Sequence, residues 1–202
     1  MANFGLHERA IGYKMKFSLT ILLLGIQFTT YCQDSYDSVW AFKQQKFSLH
    51  LDVGEETFDK LNAKLIIAKN DKVLVSDSLM CSMVWLYAKD MNSDGFEDIM
   101  IYEGSGARAN GRFNLYLFQP GSIAYKKIEA FNNWPNIDTT EIPGVLCSMI
   151  LTGNVEYHFF QLTKKGSFID LKISEVDKEL DGNAYEKGIN LVRRKLRQKS
   201  GG

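Results

Sequence analysis

The sequence predicts an all-β, mostly antiparallel single domain of propeller-like or sandwich-like build. Three observations carry that expectation. Short segments rich in β-branched and aromatic residues alternate apolar with polar along most of the chain. Turn signals interrupt them about every 8 to 14 residues. Only "EETFDKLNAKL" has helical spacing, and it is short. A chain of 202 residues, 45% of them hydrophobic, suffices for one sizeable core. Lys and Arg balance Asp and Glu at 24 each, which argues against a nucleic-acid or membrane-surface protein as a whole.

The N-terminal residues read differently from the rest. From Met15 the chain runs "MKFSLTILLLGIQFTTYCQDS": a cation at Lys16, an apolar run from Phe17 to Ile26, then small and polar residues. That layout predicts a signal peptide over 15–32, with residues 1–14 as an upstream extension; a buried or amphipathic helix is the alternative. Cleavage is expected between Cys32 and Gln33, with a lipid anchor on Cys32 as its rival, and Tyr31 speaks against the anchor. The domain is then 33–202, exported to a periplasm or cell surface, with 21 basic and 23 acidic residues. Its two cysteines, Cys81 and Cys147, either pair in an oxidising compartment or stay as buried thiols.

Along that domain, "KFSLHLDV" places Phe47, Leu49, Leu51 and Val53 on one strand face. "AKLIIAKNDKVLVSDSL" is a hairpin turning at "NDK". "MVWLYA" and "DIMIYE" are strands flanking an acidic loop, and "RFNLYLFQPGSIAYKKIEAF" is a hairpin with Pro120-Gly121 at its turn. "NNWPNIDTTEIPG" reads as loop. Three short strands follow, broken at Thr152-Gly153-Asn154 and Lys164-Lys165-Gly166. "KISEVDKELDGNAYEKGINLV" reads as a closing hairpin turning at Asp181-Gly182-Asn183, with "RRKLRQK" as a solvated terminal strand and tail. An anionic partner is the minority reading of that basic end.

The acidic loop carries the one chemical motif. Counting from Asp90, oxygen-bearing side chains stand at the first, third, fifth and ninth places: Asp90, Asn92, Asp94 and Asp98. The carbonyl of Phe96 falls at the seventh, and Gly95 at the sixth frees the backbone for a sharp turn. Three carboxylates and an amide suit a hard divalent cation, so Ca2+ is expected and soft-ligand metals are not. A plain acidic turn is the alternative. Ile101 replaces the twelfth-position Glu of an EF-hand, so a water or Glu103 is expected to complete the shell. A similar run, Asp177, Glu179, Asp181 and Gly182, has Tyr185 at its ninth place and reads mainly as a turn.

The stretch "AKDMNSDGFEDIMIYEGSGARANGRFNLYLFQPGSIAYKKI" resembles the calcium loops of FG-GAP and VCBS repeats. It also resembles a group of small exported bacterial proteins in which such a loop leads through a Gly-rich segment to an aromatic strand. A member of that group is a calcium-binding periplasmic protein that inhibits a lysozyme-like effector. The motif likeness covers residues 86–120 and the layout 45–176. It implies a propeller-like fold, Asp90, Asn92, Asp94 and Asp98 as ligands, and a lysozyme-like enzyme as protein partner. The loop occurs once and the length excludes a seven-bladed propeller.

Chemistry finds few other candidates, so the domain is expected to bind and not to catalyse. "GSGARANG" precedes a strand and not a helix, which makes a phosphate cradle a poor reading; its Arg108, Asn110 and Arg112 are a partner surface or a solvated loop. His50 and His158 alternate with strand residues, and Ser105 lacks the spacing of a nucleophile elbow. Phe131 and Trp134 in a Pro- and Asn-rich loop are either a lid on the core or contacts for a partner or cell-surface glycan.

Overall fold

A computed structural model of the chain describes residues 34–42, 45–55 and 61–200. The upstream extension, the 15–32 leader and Cys32 lie outside the described residues. Within them, each run of four consecutive strands makes its own antiparallel meander. The first holds β1 (Asp34–Phe42), β2 (Gln45–Val53), β3 (Ala63–Lys69) and β4 (Lys72–Leu79). The second holds β5 (Leu86–Lys89), β6 (Asp98–Gly106), β7 (Asn110–Gln119) and β8 (Ala124–Lys127). The third holds β9 (Ile137–Thr139), β10 (Val145–Leu151), β11 (Val155–Leu162) and β12 (Phe168–Asp177). Among the described residues the protein is thus mostly β, with one α-helix, α1 (Asn183–Ser200), at their C-terminal end.

The turns form where local chemistry permits. Asn70 and Asp71 between β3 and β4 have φ of 48° and 61°. Paired left-handed residues match the right-handed strand twist of a two-residue hairpin, and Asn and Asp tolerate that conformation better than branched residues. In β2 the alternation becomes burial: Phe47, Leu49, Leu51 and Val53 are inside. Leu49 and Leu51 pair with Ile67 and Leu65 across the register.

The sheets stack face on face. Phe47, Leu49, Leu51, Leu65 and Ile67 of the first sheet meet Ile99, Ile101, Tyr116 and Phe118 of the second. On its other face the second sheet turns Met100, Tyr102, Phe113, Leu115 and Leu117 toward Leu146, Phe160 and Leu162 of the third. The third sheet's far face, with Val145, Cys147, Phe159 and Leu171, is covered by Ile189 and Val192 of α1. The second sheet is therefore apolar on both sides, and β6 begins with five buried residues in a row. A polar seam edges the first interlayer, where Tyr116 donates its hydroxyl proton to Asp77 (2.6 Å) and Lys127 Nζ follows at 2.8 Å. Burial raises the Asp77 carboxyl, but these two donors hold it below the ordinary carboxylate range.

Three expectations are corrected. The first limb of the closing hairpin is strand, the end of β12, but its second limb and the basic terminal strand are instead α1. Asp181-Gly182-Asn183 does not turn a hairpin: Asp181 accepts the Asn183 N–H at 2.9 Å, and Glu186 N–H bonds Gly182 carbonyl at 3.2 Å as a helix begins. Tyr185, Ile189, Val192 and Leu196 repeat at helical spacing and all pack toward the third sheet. The helical reading of "EETFDKLNAKL" also fails where it can be followed. Residues 56–60 lie outside the described residues, and Ala63 onward is β3. "MVWLYA" becomes strand only at Leu86, since Met83–Trp85 make a tight turn with Trp85 N–H on the Met83 carbonyl (2.8 Å). Cys81 and Cys147 are buried free thiols in separate clusters. Burial pushes them up to about 11 and about 12, so both stay protonated.

The helix approaches the third sheet closely at one point. A Cβ on Gly188 would lie 2.3 Å from Phe159 Cε2 and 2.6 Å from Cζ. Phe159 is fully buried and has little room to yield. Gly188→Ala gains about 1 kcal/mol of helix propensity, but overpacking costs about 1–3 kcal/mol. The substitution is expected to lower the urea midpoint; a raised midpoint would contradict this docking of α1.

Candidate metal centre

Residues 90–97 link β5 to β6 and draw three of the motif's side chains into one hydrogen-bonded knot. Asp90 Oδ1 and Oδ2 accept the N–H groups of Asp94 (3.1 Å) and Gly95 (2.8 Å). Asn92 Oδ1 accepts the Asp94 N–H at 3.1 Å, and Asn92 Nδ2 donates to Asp94 Oδ2 at 3.0 Å. Asp94 Oδ1 accepts the Phe96 N–H at 2.9 Å. Ser93 and Gly95 take positive φ, 57° and 85°, which lets the chain curl around these oxygens. Asn92 is only 2% exposed.

Asp98 lies at the start of β6 and is 0% exposed. Its oxygens accept the Met91 N–H and the Phe118 N–H, each at 2.9 Å. Burial pushes its carboxyl up to about 7; the two N–H groups pull it down, while the charges of Asp94 and Asp90 add to the rise. Those charges thus reach Asp98, and nothing cationic among the groups acting on it offsets them. Among the described residues, no three His, Cys, Asp or Glu side chains converge as a metal-holding group. The donor set itself is oxygen-only. Each knot oxygen that takes an N–H retains a second lone-pair direction, so Asp90, Asn92, Asp94 and the Phe96 carbonyl could serve a hard cation without losing the loop's bonds.

Both core layers anchor the loop. Met91 is buried between the second and third sheets. Phe96 packs at the first interlayer, its ring 5.2 Å from that of Phe118. Ser93 Oγ accepts the Gly144 N–H at 3.0 Å. Periodicity gave no hint of these anchors, because their partners lie far along the chain.

The other candidates sort by geometry. Glu103 cannot complete the cation shell: it sits five residues beyond Asp98 on an extended strand, roughly 17 Å away, and accepts from Asn132 (2.6 Å) and Asn114 (3.4 Å). Asn110 is half-buried and acts as a clamp. Its Nδ2 donates to the Ala107 and Leu151 carbonyls, and its Oδ1 accepts from Leu151 N–H and Asn136 Nδ2. Arg108 and Arg112 remain exposed. Phe131 is buried, and half-buried Trp134 packs on Phe160 and His158 (4.6 and 5.0 Å), which makes both a lid on the core. His50 bonds Asp37 at 2.6 Å on the outer strand face. Among the described residues, the large aromatic left open is Trp85, 49% exposed, with its ring tilted against Tyr102 (4.9 Å) and edge-to-face with Phe113 (5.4 Å).

The "DKELDG" run repeats the loop's backbone. Leu180 and Gly182 have φ of 57° and 82°, and Asp177 accepts the N–H groups of Asp181 (3.4 Å) and Gly182 (2.8 Å). It departs at its ninth place, where Tyr185 donates its hydroxyl proton to Glu141 at 3.0 Å. No family model, curated protein or solved structure matches the chain.

Asp98 sets a pH dependence. Its folded-state value lies above the ordinary 3.8, so its stabilising contribution is fully present below about pH 4 and is lost as pH rises through 7. In chelator, the stability of the chain relative to Asp98→Asn is expected to fall over that window. The decline is up to about 1.4 kcal/mol per pH unit. Urea titrations at a series of pH values measure it, and a rising difference would contradict a buried, raised carboxyl.

Proposed function

We propose that this chain is an exported Ca2+-binding β protein that acts by binding another protein, a lysozyme-like, peptidoglycan-cleaving enzyme. The observation that carries the calcium reading is the curl of Asp90, Asn92 and Asp94 around positive-φ backbone, with buried Asp98 feeling their charge. Asp90, Asn92, Asp94, the Phe96 carbonyl and Asp98 would hold the cation. Bound there, the ion would neutralise clustered carboxylates and hold the loop against the strands it joins. Three consecutive meanders stacked face on face favour a propeller-like reading of the fold over a sandwich.

The inhibitor reading rests on the loop and Gly-rich layout. An exposed, clamped hairpin tip supports it: Ser105–Ala109 are exposed while Asn110 ties the hairpin to Leu151. Arg108 at its tip is of a residue type frequent in binding hot spots. Trp85 favours a second reading, a glycan-binding module, because an open indole face is a common sugar platform.

Millimolar calcium is expected to raise the thermal midpoint, because a ligand at 100 times its Kd adds about 2.7 kcal/mol. Asp90→Ala or Asp94→Ala should remove that rise, and an equal midpoint in calcium and in EDTA would sink the calcium reading. Peptidoglycan-clearing assays with lysozyme-type enzymes test the inhibitor reading, which predicts slowed clearance. Binding on a glycan array that Trp85→Ala abolishes, with no effect on clearance, would favour the second reading instead.

A further inference from the structure

The whole-chain charge balance hides two opposite ends. Between Gln33 and Gly182 the chain has 15 Lys and Arg against 22 Asp and Glu, a net charge of −7. Residues 183–200 carry Lys187, Arg193, Arg194, Lys195, Arg197 and Lys199 against Glu186 alone, a net charge of +5. α1 thus concentrates positive charge on an otherwise acidic body.

Packing decides where that charge points. Tyr185, Ile189, Val192 and Leu196 lie against the third sheet. The opposite ridge, at spacings of three and four, is Lys187, Asn190, Arg194 and Arg197, all exposed. The helix is held down along its length. Lys187 pairs with Glu175 at 2.7 Å, Arg193 with Glu141 at 3.1 Å, and Lys195 Nζ donates to the Leu171 carbonyl at 2.7 Å. Favourable interaction with the helix dipole accounts for cations in the last turn but not for Lys187 near the start. Pinned flat, α1 presents a straight exposed ridge roughly 15 Å long from Lys187 to Arg197, with its apolar stripe already covered.

We propose that this ridge docks the protein on an anionic phospholipid surface. A planar array of negative headgroups complements a straight, flat ridge. A duplex groove would instead need a helix free to enter it, and α1 is not free. With no apolar face left to insert, binding is electrostatic, reversible and sensitive to salt. The body, with its net charge of −7, favours the orientation that turns the helix toward an anionic leaflet. This inference is independent of the calcium loop.

The test is co-sedimentation of the full chain with phosphatidylcholine vesicles, with and without phosphatidylglycerol, at low and high sodium chloride. The readout is the ratio of partitioning between the two vesicle types, which cancels any apolar anchoring by other segments. The ratio is expected to exceed one at low salt and to fall toward one at high salt. Each cation near an anionic leaflet changes partitioning about five-fold, so Arg194→Glu with Arg197→Glu should lower the ratio at least about twenty-fold. Arg194→Lys with Arg197→Lys should retain it, and the helical circular dichroism of each variant checks folding. A ratio near one in the unsubstituted chain, or one unchanged by the Glu pair, would overturn the proposal. So would tighter binding to a short DNA duplex than to the anionic vesicles at equal salt.

Discussion

A sheet that must be apolar on both faces is the constraint from which the architecture follows. β6 and β7 send alternate side chains to opposite interlayers: Ile99, Ile101, Tyr116 and Phe118 to one, Met100, Tyr102, Phe113, Leu115 and Leu117 to the other. Each interlayer then needs a partner that is apolar on one side only. The first sheet supplies one with Phe47, Leu49 and Leu51, and it keeps Ser48, His50 and Asp52 outward. The third supplies the other, but its strands also bury Val145, Phe159 and Leu171 on the far side. That leftover apolar face explains why a helix ends the stack.

The central sheet also makes the 90–98 loop more than a connection. Any polar group at the start of β6 is drawn into the core, and Asp98 is such a group. Two backbone N–H groups satisfy its oxygens, one within the loop and one on β7. Hydrogen bonds to a buried charged group are worth more than neutral ones, and losing one partner leaves a costly orphan. The carboxylate therefore couples loop shape to strand pairing. Phe96, Met91 and the Ser93–Gly144 contact extend the coupling to both neighbouring sheets. From there Glu141, in the turn before β10, reaches α1 through Tyr185 and Arg193.

Much of this was legible in the residues, and the failures have physical causes. Period-two alternation found β2, and the Asn-Asp, Pro-Gly and Thr-Gly-Asn signals marked real turns, because both depend on local geometry. The oxygens at alternate places and Gly95 announced a curled loop for the same reason. α1 was missed although Tyr185, Ile189, Val192 and Leu196 have helical spacing: Asp-Gly-Asn is also a strong hairpin signal, and it caps a helix here. Glu103 looked close to the loop in sequence, but an extended strand carries it away. The roles of Asn110 and Trp85 were invisible because their partners, or lack of cover, depend on chain segments far apart.

Amide hydrogen exchange at Met91, Phe118 and Gly144 tests most directly the claim that the loop is a cation-stabilised junction of the three sheets. Calcium is expected to slow exchange at all three amides together, and to slow the buried amides of β6 and β7 with them. Exchange that is unchanged by calcium, or slowed within residues 90–97 alone, would contradict the account.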